Sequence, residues 1–297
     1  MNRIGIDLGG TKIEATVMDP AGRLQVRERI ATPRAYDDTL VAIADLVADL
    51  ETREGPSRVG LCHPGSLSPQ TGNMRNANSV WLNGMPFKSD LEARLDREVR
   101  MANDADCFAL SEARDGAGAG ERIVFGVILG TGVGGGIVIG GELLSGAQHI
   151  AGEWGHNPLP WPHPEEIPGA QCWCGLNGCL ETWLSGPGLA RDHAERHGVQ
   201  REPRDILCAT DAACRDSQER YIDRLARGLA SIANVIDPDV IVLGGGLSNT
   251  PDLPQRIEAR LLEHVFSDVL KTRVRRHMHG DSSGVRGAAW LWPAEAR

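Results

Sequence analysis

No stretch of this 297-residue chain is apolar for long enough to span a membrane, and its N-terminus reads as a core strand, not as a signal peptide. A basic block is missing as well. Lys and Arg number 31 against 40 Asp and Glu, a formal balance of −9 that argues against a surface for a phosphate backbone. The three arginines between Arg273 and Arg276 fit the solvated end of an element better than a nucleic-acid patch. Low-complexity linkers are absent, so two domains in this chain would have to pack closely. These absences predict a cytoplasmic protein that binds neither membrane nor nucleic acid. The 41% hydrophobic content is ordinary for a soluble core, and the length suits two modest domains around one cleft. In a reducing compartment the seven cysteines read as thiols or metal ligands before disulfides.

Glycine stands out against that background, and its first cluster brings a carboxylate and a lysine. A β-branched strand ends in Asp7 and Leu8, and the turn Gly9-Gly10-Thr11-Lys12 follows. From Ile13 to Asp19 apolar and polar residues alternate, which is strand periodicity. Walker loops and dinucleotide fingerprints need a helix N-terminus directly after their glycines. This turn joins two strands instead, so its phosphate-binding groups are hairpin N–H groups, the Thr11 hydroxyl and the Lys12 charge. An actin-like, two-lobed phosphotransferase holds ATP in this way.

The pattern recurs half a chain later, with a strand over 123–129, the turn Gly130-Thr131-Gly132 and a strand over 136–139. Gly130, Gly132 and Gly135 match G-x-G-x-x-G literally, but a strand follows where that motif needs a helix. The duplication predicts an α/β fold of the actin-like (ribonuclease H-like) kind, with two phosphate hairpins facing one cleft. A third cluster, Gly244-Gly245-Gly246, follows a buried strand over 240–243. It reads as an ordinary strand-to-helix turn or as a place where backbone approaches an adenine ring. Periodicity also predicts helices over 37–50, 88–97 and 216–236, and strands over 58–62 and 99–101.

Three further groups carry chemistry. Asp104 follows a short strand beside Asn103; phosphorylating an alcohol needs such a carboxylate to accept the proton, but position alone favours a helix N-cap. Cys172, Cys174 and Cys179, with His156 upstream, make three thiolates and an imidazole, enough to close a tetrahedral structural zinc shell. Buried free thiols are the alternative, and the tight Cys-x-Cys spacing is unlike the usual finger. Glu153 and Glu181 flank this cluster; they are sugar-hydroxyl acceptors if the metal pins His156, or surface glutamates near a loop.

Taken together, these residues resemble the ROK family of sugar kinases and sugar-responsive repressors, over essentially the whole chain. The resemblance rests on Asp7 to Lys12, on Leu129 to Gly136 running on to Gly152-Glu153-Trp154-Gly155-His156, and on the decapeptide Cys172 to Glu181. It implies Mg2+ with ATP as donor, Asp104 as catalytic base and structural Zn2+ on His156, Cys172, Cys174 and Cys179. It also implies ATP contacts from Asp7, Gly9, Gly10, Thr11, Lys12, Gly130, Thr131, Gly132 and Gly244 to Gly246. The sugar contacts it implies are Pro64, Gly65, Asn78, Asn103, Asp104, Glu153, His156 and Glu181. A homodimer is a further expectation from the family.

The segments 76–79, 81–84, 153–161 and 279–290 are most similar to fructokinases that also accept mannose, which implies D-fructose as acceptor at its 6-hydroxyl. A kinase for N-acetylglucosamine, glucose or N-acetylmannosamine is the alternative, because the same carboxylates suit several pyranoses. A DNA-binding repressor is disfavoured, since only Met1-Asn2-Arg3 precedes the first strand and no helix-turn-helix fits there. A silent sugar sensor is disfavoured by the intact Asp104 and the two phosphate turns. Two departures from the family pattern stand out: His63 before Pro64-Gly65, and Asp106 where Asn is expected. Residues two apart on a helix diverge, so Asp106 is expected to leave Asp104 little changed. The expected lobes are 1–116 with 284–297, carrying the first hairpin and Asp104, and 117–283, carrying the second hairpin, the zinc loop and the adenosine side.

Overall fold

A computed structural model describes residues 1–293; positions 294–297, the tail of the expected first lobe, lie outside the described residues. The first sheet is built from β1 (Asn2–Leu8), β2 (Lys12–Met18), β3 (Leu24–Ala31), β4 (Ser57–His63) and β7 (Val99–Asn103), with a two-stranded ribbon of β5 (Ser66–Leu67) and β6 (Met74–Arg75) beside it. The second sheet holds β8 (Ile123–Leu129), β9 (Val133–Ile139), β10 (Glu142–Leu143), β11 (Val240–Gly244) and β12 (Arg273–Arg276). Helices α1 (Tyr36–Glu54), α2 (Phe87–Leu95) and α3 (Asp104–Asp115) belong to the first half. The second half contributes α4 (Leu180–Leu184), α5 (Gly186–His197), α6 (Pro203–Cys208), α7 (Ala212–Ile236), α8 (Leu253–Leu261) and α9 (Ser283–Trp290).

The sheets repeat one plan. Their orders are β3-β2-β1-β4-β7 and β10-β9-β8-β11-β12, each with an antiparallel meander on one side and parallel strands on the other. The duplication seen in the glycine turns thus extends to every strand of both sheets, and this is the actin-like, two-lobed ATPase fold. The second hairpin is tighter than expected: β9 starts at Val133, not at 136, so only Gly130 to Gly132 form the turn. The long helix starts at Ala212, where Asp211 caps it by accepting from the Cys214 N–H, and not at 216.

Two helices cross between the halves. α9, from the end of the chain, lies on β1 and β4, while α3 lies on β8 and β9. Close approach makes this possible. A Cβ at Gly60 would collide with the Ala288 carbonyl, and one at Gly287 with the Cys107 carbonyl. Glu112, fully buried on α3, accepts from the Met278 and His279 N–H groups and the Ser283 hydroxyl, which ties α3 to the start of α9. No helix among the described residues is long and apolar enough to cross a membrane.

Candidate active site

The first hairpin opens the site at the C-terminal end of β1. Gly9 N–H donates to the Lys12 carbonyl at 3.0 Å and Thr32 Oγ1 to the Gly9 carbonyl at 2.7 Å, so the turn is held from below. Gly10, Thr11 and Lys12 face solvent. Asp7 sits beneath them, in register with Cys62 on β4. Burial pushes its carboxyl up to about 6; the Asp104 and Glu14 charges push the same way, while the Cys62 thiol and Lys12 oppose them. A hard, cation-hungry carboxylate under a phosphate turn suits Mg2+.

Asp104 starts α3 at the end of β7. The N-cap role that position alone favoured for it belongs to Asn103, whose Oδ1 accepts from the Asp106 N–H at 2.7 Å. That leaves the Asp104 side chain open to the cleft, with only its own helix's Ala105 N–H donating to Oδ1 at 2.9 Å. Deep placement between the lobes still strips much of its water, and this desolvation raises its carboxyl. Asp106 is not among the groups that shift Asp104, as expected, but is itself strongly perturbed. Its carboxyl is pushed up to about 8, first by burial and then by Glu153 and Asp104, and its Oδ1 has no hydrogen-bond partner. The opposite wall closes over both, with Glu153 acting on Asp106 and Asp104 acting on Glu153.

That wall is the metal-site candidate. The ligand atoms of His156, Cys172, Cys174 and Cys179 all lie within 4.8 Å of one another. Cys172 Sγ is 3.5 Å from His156 Nδ1, and Cys174 Sγ is 3.6 Å from Cys179 Sγ. Zn–S bonds of about 2.3 Å in a tetrahedron put sulfurs roughly 3.8 Å apart, so the set fits zinc with little movement. Nδ1 is the ring nitrogen of His156 that faces the Cys172 thiol. The loop is pinned by Leu159 N–H to the Gly178 carbonyl at 3.0 Å and Leu180 N–H to the Asn157 carbonyl at 2.8 Å. Glu153 precedes this loop, its carboxyl raised by burial and by Asp104 and Glu181 while His156 and Arg75 oppose them.

Glu181 joins the wall to the second hairpin. Its Oε2 accepts from the Val133 N–H at 3.0 Å and its Oε1 from Trp173 Nε1 at 2.7 Å. Gly130, Thr131 and Gly132 form the turn, and the Gly130 carbonyl accepts from Gly186 N–H at 2.8 Å. Gly244 to Gly246 end β11 next to this turn; Gly245, at φ 79°, packs against the Leu129 backbone. Pro64 and Gly65 follow β4, with Gly65 at φ 76° against β6. Asn78 is exposed in the segment beside the first hairpin.

Three neighbours escaped the sequence reading. The Cys62 thiol, to which no role was assigned, touches Asp7. The Ser79 hydroxyl is buried without a partner, 3.7 Å from where a Gly10 Cβ would stand. Arg75 donates to Ser66 Oγ at 3.0 Å and acts on Glu153. Only Ser79 had a signal, since it lies within the segment 76–79 singled out above.

The fold and these carboxylates define a two-lobed sugar phosphotransferase. Residues 3–295 match the ROK family, and the chain belongs to it. It is 41% identical over 296 residues to an N-acetyl-D-glucosamine kinase of Shigella boydii serotype 4, covering 97% of this chain and 98% of the relative. A ROK hexokinase from Thermus thermophilus superposes with a TM-score of 0.86 at 32% identity, covering 98% of this chain and 97% of that one. A Streptomyces griseus ROK glucokinase, solved with glucose and AMPPNP, gives 0.76 at 30% identity over 98% of this chain and 99% of that one. The chain is therefore a ROK sugar kinase. These relatives do not bear out the expected likeness to fructokinases; the curated similarity runs to N-acetyl-D-glucosamine kinases.

Proposed function

We propose that the chain transfers the γ-phosphoryl group of ATP to the 6-hydroxyl of N-acetyl-D-glucosamine. The observation that carries this reading is full-length similarity at 41% identity to kinases of that name. The carboxylates described above suit any hexose ring and do not discriminate among them, so fructose gives way to the amino sugar.

In this reading Asn103, Glu153, His156 Nε2 and Glu181 hold ring hydroxyls, with Pro64, Gly65 and Asn78 on the opposite lip. Asp104 accepts the proton of the 6-hydroxyl as that oxygen attacks the γ-phosphorus in line. Its raised affinity for a proton, from desolvation, makes it a better base than a surface aspartate. The N–H groups of Gly10 and Thr11 and of Thr131 and Gly132, with the Lys12 charge and the Thr11 hydroxyl, face charge developing on the phosphoryl oxygens, while the Gly9 and Gly130 N–H groups close the two turns. Gly244 to Gly246 line the adenosine side. Asp7 would hold the Mg2+ that accompanies ATP, an ion that neutralises charge on the transferring group. Zinc on His156 and the three cysteines would be structural, because four protein ligands leave no open position.

ADP release from Mg-ATP, compared across N-acetylglucosamine, glucose, mannose and fructose, tests the assignment. The highest kcat/KM is expected with N-acetylglucosamine. A preference for fructose would restore the fructokinase reading, and a preference for glucose would place the chain with hexokinases.

A further inference from the structure

The two departures from the family pattern meet in one place. His63 ends β4 and stands in register with Asn103 on β7. Together with Asp106 they line a cavity of about 50 Å³. Leu67, Met101 and Ala102 supply an apolar wall, and Ser145 and His149 reach it from the segment after β10, so the cavity lies between the two halves. About 10–15 Å³ on this measure already holds one water, so the cavity takes more than a single water. It has room for a group of about three heavy atoms.

Its polar groups are specific. His63 is 97% buried, with 3% of its surface exposed, and its Nδ1 lies 3.1 Å from the Pro64 carbonyl. A carbonyl only accepts, so Nδ1 carries the hydrogen and Nε2 is left with a lone pair. Burial lowers this imidazole to about 4, so it stays neutral. Asp106 Oδ1 is buried and unpartnered. Protonated at neutral pH, this carboxyl offers one O–H donor. His63 and Asp106 thus present one acceptor and one donor beside an apolar wall, with Ser66, Asn103, Ser145 and His149 completing the lining. A secondary acetamide has the complementary set: an N–H, a carbonyl oxygen and a methyl group.

We infer that the cavity between His63 and Asp106 is the subsite for the N-acetyl group of the sugar, with His63 Nε2 accepting the amide N–H and Asp106 donating to the amide carbonyl. The inference rests on the N-acetylglucosamine reading above and deepens it. Met101, Leu67 and Ala102 enclose the methyl. A hexose with a bare hydroxyl would leave both polar side chains unpaired, and a site built to pair a group rejects the analogue that lacks it.

The test is the ratio of kcat/KM for N-acetylglucosamine to that for glucose, in the wild type and in His63→Leu, Asp106→Leu and Asp106→Asn. Both leucine variants should lower the ratio about tenfold or more, the scale of one unmade buried hydrogen bond. Asp106→Asn should keep most of it, because an amide N–H can replace the acid's donor. Should a leucine variant fail to fold, His63→Ala, which only enlarges the cavity, reads the same ratio and should also lower it. A wild type that prefers N-acetylglucosamine, with a ratio unmoved in the folded variants, would remove the subsite and leave the function standing. A wild type without that preference would remove the function and the subsite together.

Discussion

The two phosphate hairpins share a strand plan but not a chemistry. The first is rich in side chains: Asp7 beneath, Thr11 and Lys12 above, and Glu14 paired with Arg27 and Arg29 behind. The second is nearly all backbone, and its N–H at Val133 is given to Glu181 on the sugar wall. One copy manages charge. In the proposed reading the other couples phosphate position to a wall that zinc would brace. Duplication supplied two equal frames, and the residues placed on each divided the work.

That division can be broken at either end. Asp7→Asn removes the carboxylate under the charged hairpin, and kcat should fall by about 10²-fold or more with a rise in the Mg2+ needed for half-maximal rate. An unchanged Mg2+ requirement would show that Asp7 is not the ion's ligand. On the other side, Cys174→Ser should lose bound zinc, by metal analysis, and weaken sugar binding roughly 10–100-fold while ATP binding holds. Retention of both metal and sugar affinity would mean that the four residues are not a ligand set. Glu181→Gln is the finest cut, since it keeps the shape but weakens the acceptor at Val133 N–H. The KM values for sugar and ATP should rise together by about tenfold, on the scale of a charge-assisted hydrogen bond. A change in the sugar KM alone would uncouple the backbone hairpin from the wall.

The hairpins and the clustering of the three cysteines were legible because their information is local. Strand periodicity on both sides of a glycine turn lies within about fifteen residues, and Cys172, Cys174 and Cys179 lie within eight. What escaped depends on contacts between distant segments. The last helix was expected with the first lobe only from the family resemblance, and nothing local shows that α3 lies on the second sheet, against α9 where Gly287 meets Cys107. The helix cap fell to Asn103 and not Asp104, a difference of one residue that only the backbone turn at the end of β7 decides. Asp106 was expected to leave Asp104 little changed, and it is not among the groups that shift that carboxyl; what escaped is the rise of Asp106's own, from burial and from Glu153 of the other half. The relatives favour N-acetylglucosamine over the fructose expectation, and the discrimination proposed above rests on a cavity between His63 and Asp106 that no short segment displays.

The central claim is that Asp104 is the base of a sugar phosphotransferase whose two lobes are otherwise complete without it. Steady-state kinetics of Asp104→Asn, beside its thermal unfolding and its sugar affinity by calorimetry, test this directly. The account predicts kcat lowered by at least ~10²-fold, with folding and sugar binding close to those of the wild type. Near-normal turnover in that variant would contradict it and would move the base to another carboxylate of the cleft.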